Sequence, residues 1–390
     1  KYTNIALTGS GTAGGYVGYT TSYNAEFKVD MNSLTFENIS VENKDRILTG
    51  GIIGSIGPGK LKSEGNTYKN INVTAKNPQT GAVGGLVGYA QNIFMNNDNF
   101  DGIIIRNADG VLHFAGGISG AADYVTADNV NVSNVDIEIT SSASAMFGVV
   151  SQSLKLNTSS DTSKTVMSNI KVNSTQTSSS SYIATVASGV SGISVYGNIK
   201  NVTINGINLS TSMNGARLGS IAGFSEAEIS NCTVNNAEII SKYNSDTPES
   251  SDVQMGGIKG IGNSSLITNC SVKDSKLNII SGYVGGICGS SAGNITDSHS
   301  DNIKINGTVR NYAGGILGHD NNTSATGKID NCYVQNSSVN SANGNIGGIA
   351  GFHAGVVNKT NFKNSEIIAE GSGAFGIGGI VGQGNNVIGY

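Results

Sequence analysis

The sequence predicts an all-β fold: a parallel β-helix solenoid, right-handed by the rule for β-crossover connections, with about twelve coils of three short strands each. Three observations carry this reading. A glycine hexad recurs along the chain, an asparagine marker runs in phase with it, and the apolar stretches between them have period two with no helical periodicity.

The hexad reads x-Gly-Gly-Ile/Leu/Val-x-Gly. Clear copies begin at Thr49, Val83, Ala115, Met255, Val284, Ala313, Ile346 and Ile377, and weaker ones at Ala13, Met146 (MFGVVS), Ile183 (IATVAS) and Leu218. Their spacing runs from 29 to 37 residues and averages roughly 33, a period that signals a solenoid, propeller or array. Paired glycines imply a bend or bulge where backbone angle or close packing excludes a side chain.

The marker comprises Asn38, Asn70, Asn99, Asn129, Asn169, Asn201, Asn231, Asn269, Asp297, Asn331 and Asn361, mostly followed by apolar-x-apolar as in NISV, NINV and NCTV. That alternation reads as a strand with one buried face. A further apolar stretch follows, for instance Val135 to Ile139, Ala237 to Ile240 and Lys276 to Ile280, giving three strands per repeat. A propeller blade would need four. Stacking places each marker above the last, so the amides are expected to form an internal structural ladder at a corner, satisfying one another.

Composition narrows the setting. With 55 Gly, 3 Pro, no Trp, 13% charged residues and a net charge of −4, the chain reads as extracellular or bacterial cell-surface, without the basic patch that nucleic acid requires. No apolar run reaches the length of a membrane span, so direct membrane insertion is not expected. Residues 1–390 read as one β-helix domain with degenerate repeats around 146–200. The chain is expected to be a segment of a longer protein whose anchoring or catalytic regions lie outside it, because solenoids need polar caps.

The hexads at Val83, Val284, Ala313, Ile346 and Ile377, together with NCTV at Asn231, NCSV at Asn269 and NCYV at Asn331, resemble the GLUG-motif repeat. The resemblance covers nearly the whole chain, and Phe147, Ala184 and Thr185 depart from it. It implies a repeat region of large bacterial surface proteins, such as adhesins or the non-catalytic parts of immunoglobulin A metallopeptidases. It does not fix an activity.

No chemistry-bearing constellation emerges. Gly9 to Gly14 and Gly371 to Gly376 fit G-x-G-x-x-G but open no helix, and Gly289 to Gly293 fits G-x-S-x-G only as the turn after a hexad. None of His113, His299, His319 and His353 starts an H-E-x-x-H, and His319 and His353 are expected at a solvent-facing corner. Cys232, Cys270 and Cys332 follow marker residues and are expected inside, as is Cys288 in its hexad. Free thiols are the simpler reading, with a Cys232–Cys270 disulfide within reach if their coils are consecutive. No catalytic residue, metal ligand or cofactor is assigned.

Spacing from hexad to marker lengthens in several repeats, which suggests insertions emerging from one corner as a binding face. The candidate ligand contacts there are Tyr19, Tyr23, Lys60, Lys62, Lys155 and Lys164. The function class expected is a non-enzymatic adhesin or stalk whose partners are host or neighbouring-cell glycans or proteins. The alternatives are an accessory substrate-positioning region of a large secreted protease and a carbohydrate-active β-helix.

Overall fold

One coil shows how the sequence makes the fold. A lead strand, Gly81–Gly84, turns through Gly85 and Leu86 into a middle strand, Val87–Asn96, which turns at Asn97 and Asp98 into a closing strand, Asn99–Asn107. The computed structural model describes all residues except 10, 21–26, 45–46, 77–80, 108–113, 141, 175–185, 214, 244–252, 264, 292, 321–326, 372–373, 385–387 and 390. Among those described there is no helix, and the strands stack in parallel as a β-solenoid of about ten turns. That is slightly fewer than the twelve coils counted from hexads.

The hexad glycines exist for want of space. A Cβ on Gly84 would stand 2.0 Å from the Val87 carbonyl oxygen, one on Gly85 2.1 Å from that of Gly117 in the next coil, and one on Gly88 2.6 Å from that of Gly54. None of the three has a positive φ, so close packing is the cause, and a left-handed backbone is not.

Register corrects the two degenerate hexads. Ala115 and Gly116 pair with Ala143 and Ser144, and Ser119 pairs with Phe147, which in turn pairs with Ser191. The true fifth hexad is therefore ASAMFG, 143–148, and the sixth ASGVSG, 187–192, instead of MFGVVS and IATVAS. Serine and alanine in the glycine positions hid both from a glycine search.

The asparagine marker proves to be two exposed ladders, and the expected internal ladder is absent. One lies at the corner before the closing strand, where Asn129, Asn201, Asn231, Asn269, Asp297 and Asn331 adopt φ between 50° and 55°. The other lies within the closing strand and contains Asn38, Asn70 and Asn169 at φ between 54° and 56°. Asn99 and Asn361 belong to neither: they begin closing strands two residues after Asn97 and Lys359, which hold the positive φ. Asparagine tolerates this left-handed region better than other side-chain-bearing residues, and its amide then reaches the next coil. Asn70 Nδ2 donates to Asn38 Oδ1 at 2.9 Å, Asn269 to Asn231 at 2.8 Å and Asn331 to Asp297 at 2.6 Å, all on the outside.

The kink inside the closing strand also corrects the strand count per motif. Because Asn38 takes up one extra residue, both Phe36 and Ile39 turn inward, with Val41 following by simple alternation. The marker strand and the later apolar stretch, as in NVSNVDIEI, are thus one strand, Asn131–Ile139, and the three strands of a coil are lead, middle and closing.

The chain forms two compact units, Lys1–Gln176 with Ser188–Val202, and Thr177–Ala187 with Thr203–Tyr390. In the first, an internal stack of Tyr2, Phe36, Tyr68 and Phe100 runs from coil to coil with ring centroids 5.0, 5.5 and 4.4 Å apart. Its first coil has two middle strands, Val17–Thr20 and Phe27–Asn32, and the following ones are long and unbroken, such as Val87–Asn96, Ser119–Asp128 and Ser191–Lys200. In the second unit the middle strand is split, as in Lys259–Gly262 with Ile267–Thr268 and Ala350–His353 with Val356–Asn358.

Cys232, Cys270, Cys288 and Cys332 are all buried, and none is in a disulfide. Lys259 is also fully enclosed. It lies in register with Cys288, its Nζ donates to Ser265 Oγ at 2.6 Å, and burial holds its pKa down. Of the two histidines expected at a solvent-facing corner, His319 is partly exposed and His353 is not. His353 is buried, with Nδ1 2.9 Å from Asp320 Oδ2, and His319 stacks between Tyr283 and Phe352 at 4.5 and 5.0 Å.

Candidate binding surface

In the first unit the middle strands form one continuous parallel sheet whose inner residues, among them Ile56, Leu61, Ala90, Ile93, Val125 and Leu154, make the core. Alternation sends their neighbours outward. Three rows of side chains result. Tyr19, Ser55, Tyr89, Ala121, Val149 and Ile193 share one register position. Lys28, Lys60, Asn92, Tyr124, Ser153 and Tyr196 share the next, and Asp30, Lys62, Phe94, Thr126, Lys155 and Asn198 the third.

The structure therefore brings four of the six candidate contacts, Tyr19, Lys60, Lys62 and Lys155, onto one face, and on strands where loops were expected. The apparent insertions arose partly from counting to asparagines of different ladders: the corner residues of the first two coils are Ser33 and Gly65, which precede Asn38 and Asn70. Lys164 lies apart, at the corner between middle and closing strands, where its backbone N–H donates to Asn129 Oδ1 at 2.8 Å. Tyr23 lies outside the described residues.

Apart from Tyr19, sequence reading missed the side chains that dominate this face. Tyr196 is 64% exposed, Tyr19 59%, Tyr124 48% and Phe94 40%, unusual for large apolar groups. Between them Asp123 accepts from the Tyr89 hydroxyl at 3.2 Å and from Ser151 Oγ at 2.8 Å. Burial, then the adjacent Asp123 carboxylate, pushes the Tyr89 phenol up to about 12, so it stays a donor at neutral pH. The charges on the face largely pair with one another: Lys28 with Asp30 at 2.9 Å and Lys62 with Glu64 at 3.0 Å. The signal available in the sequence was the period-two pattern of SGAADYVTAD and SGISVYGNIK, which puts Tyr124 and Tyr196 on the polar phase.

No family model, curated protein or solved structure matches this chain. Its chemistry is therefore read from the side chains alone. Among the described residues no group of three or more His, Cys, Asp or Glu is placed to hold a metal ion, and no helix is long and apolar enough to cross a membrane. The main convergence of opposite charges lies on the closing strands of the same unit. There Arg106 pairs with Asp136, its Nε is 4.0 Å from Glu138, and Lys171 is 3.5 Å from Asp136.

Proposed function

We propose that this chain is a non-enzymatic adhesin or stalk segment of a secreted or surface-exposed bacterial protein, and that it binds through the middle-strand face of the first unit. The observation that carries the reading is the gathering of Tyr19, Phe94, Tyr124 and Tyr196 on the outward side of a stacked sheet. Exposing large rings costs solvation free energy in the free protein, and a ligand that covers them recovers it. A solenoid supports such a face well, because Phe94 and Tyr124 stand on strands hydrogen-bonded on both sides, so little order is lost on binding. The GLUG-like hexads support the surface location.

The Arg106, Asp136, Glu138 and Lys171 group favours a second reading, a carbohydrate-active β-helix, since paired carboxylates beside cations are the tools of glycan cleavage. Both readings are tested by one array of glycans and matrix proteins probed with the purified chain and with a Phe94→Ser/Tyr124→Ser variant. The binding role predicts capture that the variant loses, without release of reducing ends. Release of reducing ends that an Asp136→Asn substitution abolishes would favour the enzyme, and capture of nothing would refute the binding role.

A further inference from the structure

The spacing of the rings identifies a ligand class. We propose that this face binds a linear, uncharged β-linked polysaccharide lying along the stacking direction, across the strands; the proposal rests on the binding role above. Tyr124 and Tyr196 occupy one register position two coils apart with Ser153 between them. Tyr19 and Tyr89 repeat the arrangement around Ser55 in the neighbouring row. Stacked strands are about 4.8 Å apart, so each tyrosine pair is separated by about 9.6 Å at the backbone. A β-1,4-linked pyranose chain presents the same face at every second sugar, with a closely similar repeat. Two independent Tyr-Ser-Tyr rows therefore carry the period of a disaccharide unit, with a small residue left where the alternate sugar turns away.

The groups between the rings suit hydroxyls. Gln91, Asn92, Gln152 and Asn198 lie on the outward phase of the same strands and are partly or fully exposed. Asp123 is held in place by Tyr89 and Ser151, one donor on each carboxylate oxygen, and each oxygen retains capacity for a sugar hydroxyl. Sugar C–H faces pack on aromatic rings through apolar contact and the ring quadrupole. Charge argues against an anionic polymer: Lys28 and Lys62 pair with Asp30 and Glu64, and Lys60 and Lys155 share the face with the Asp123 carboxylate, so the face lacks the single-sign field that such a polymer exploits. A protein partner would be better served by a contiguous apolar centre than by rings separated by serine and amides.

The test is calorimetric titration of the full chain with cellohexaose and chitohexaose, their disaccharides, and a heparin hexasaccharide. A neutral hexasaccharide is expected to bind at least about tenfold more tightly than its disaccharide, because only the longer chain reaches both rings of a pair. Tyr196→Ala is expected to weaken it about three- to tenfold. Tyr196→Phe is expected to retain binding, and the exposed position predicts an unchanged melting temperature for both variants. Failure of both neutral hexasaccharides to bind, indifference to Tyr196→Ala, or preference for heparin would overturn the proposal. A matrix protein captured by this face while the oligosaccharides fail would overturn the polysaccharide and leave the binding role standing; capture of nothing would remove both.

Discussion

Asn269 shows what a single residue contributes to this fold. Its φ of 50° and exposed amide mean that its value lies in tolerating the left-handed region and bridging to Asn231, with burial playing no part. Replacement by valine, whose β-branch is intolerant of that region, is expected to cost about 1 to 3 kcal/mol. Replacement by glycine should cost little beyond the one exposed amide bond. Chemical denaturation of the two variants checks this, and equal losses would show that the amide bond dominates. Asp98, one residue after a corner, is different. It is fully buried: Oδ1 accepts from the Asn66 backbone N–H at 2.8 Å, while Oδ2 meets no partner among the described residues. Burial raises its pKa to about 6. A carboxyl group with a folded pKa above its unfolded value holds extra protons in the folded state, so stability falls as pH rises through about 4 to 6 and stays lower above. The loss expected is at most about 3 kcal/mol, and Asp98→Asn should flatten it. Denaturation midpoints at pH 4.5 and 7.5 decide, and parallel profiles for the two proteins would refute the role.

At the scale of elements, the corner and the internal stack make the strongest demands. Gly85→Ala puts a methyl group 2.1 Å from the Gly117 carbonyl oxygen of the next coil and 2.9 Å from Ile103 Cγ2 of its own coil's closing strand. Neither the backbone nor the packed isoleucine can withdraw freely, so the expected loss is about 3 kcal/mol, seen as a lower melting temperature. Phe100→Ala removes a fully buried ring stacked 4.4 Å from Tyr68 and is expected to cost about 3 to 5 kcal/mol by the same measurement. The hexads and buried apolar positions were legible in the sequence because stacking repeats the same constraint at the same phase. Tyr124 and Tyr196 were not singled out, because residues on the outward phase answer to no packing constraint and so need not recur. The two asparagine ladders merged into one for a related reason: both positions demand positive φ, and the same residue type meets the demand in each.

Across the whole molecule, stability in such an array is a sum of coil terms and nearest-neighbour terms. Local damage should therefore remain local. In Gly85→Ala, hydrogen exchange is expected to accelerate most in strands Ile47–Gly50 and Phe114–Gly116, which pair with Gly81–Gly84 on either side, and less in the more distant Tyr2–Gly9. Uniform acceleration would indicate a single cooperative unit. By itself, the sequence determined the parallel β-solenoid class, most of the hexad corners and the buried cysteines, because each follows from period and alternation, which are local properties repeated many times. The tertiary structure alone decided that the asparagine ladders face outward, that His353 and Lys259 are enclosed, that the second unit's middle strands divide, and that Tyr19, Phe94, Tyr124 and Tyr196 share one face. Those facts depend on register between strands some 30 residues apart, and a shift of one residue would turn each of these side chains to the opposite side.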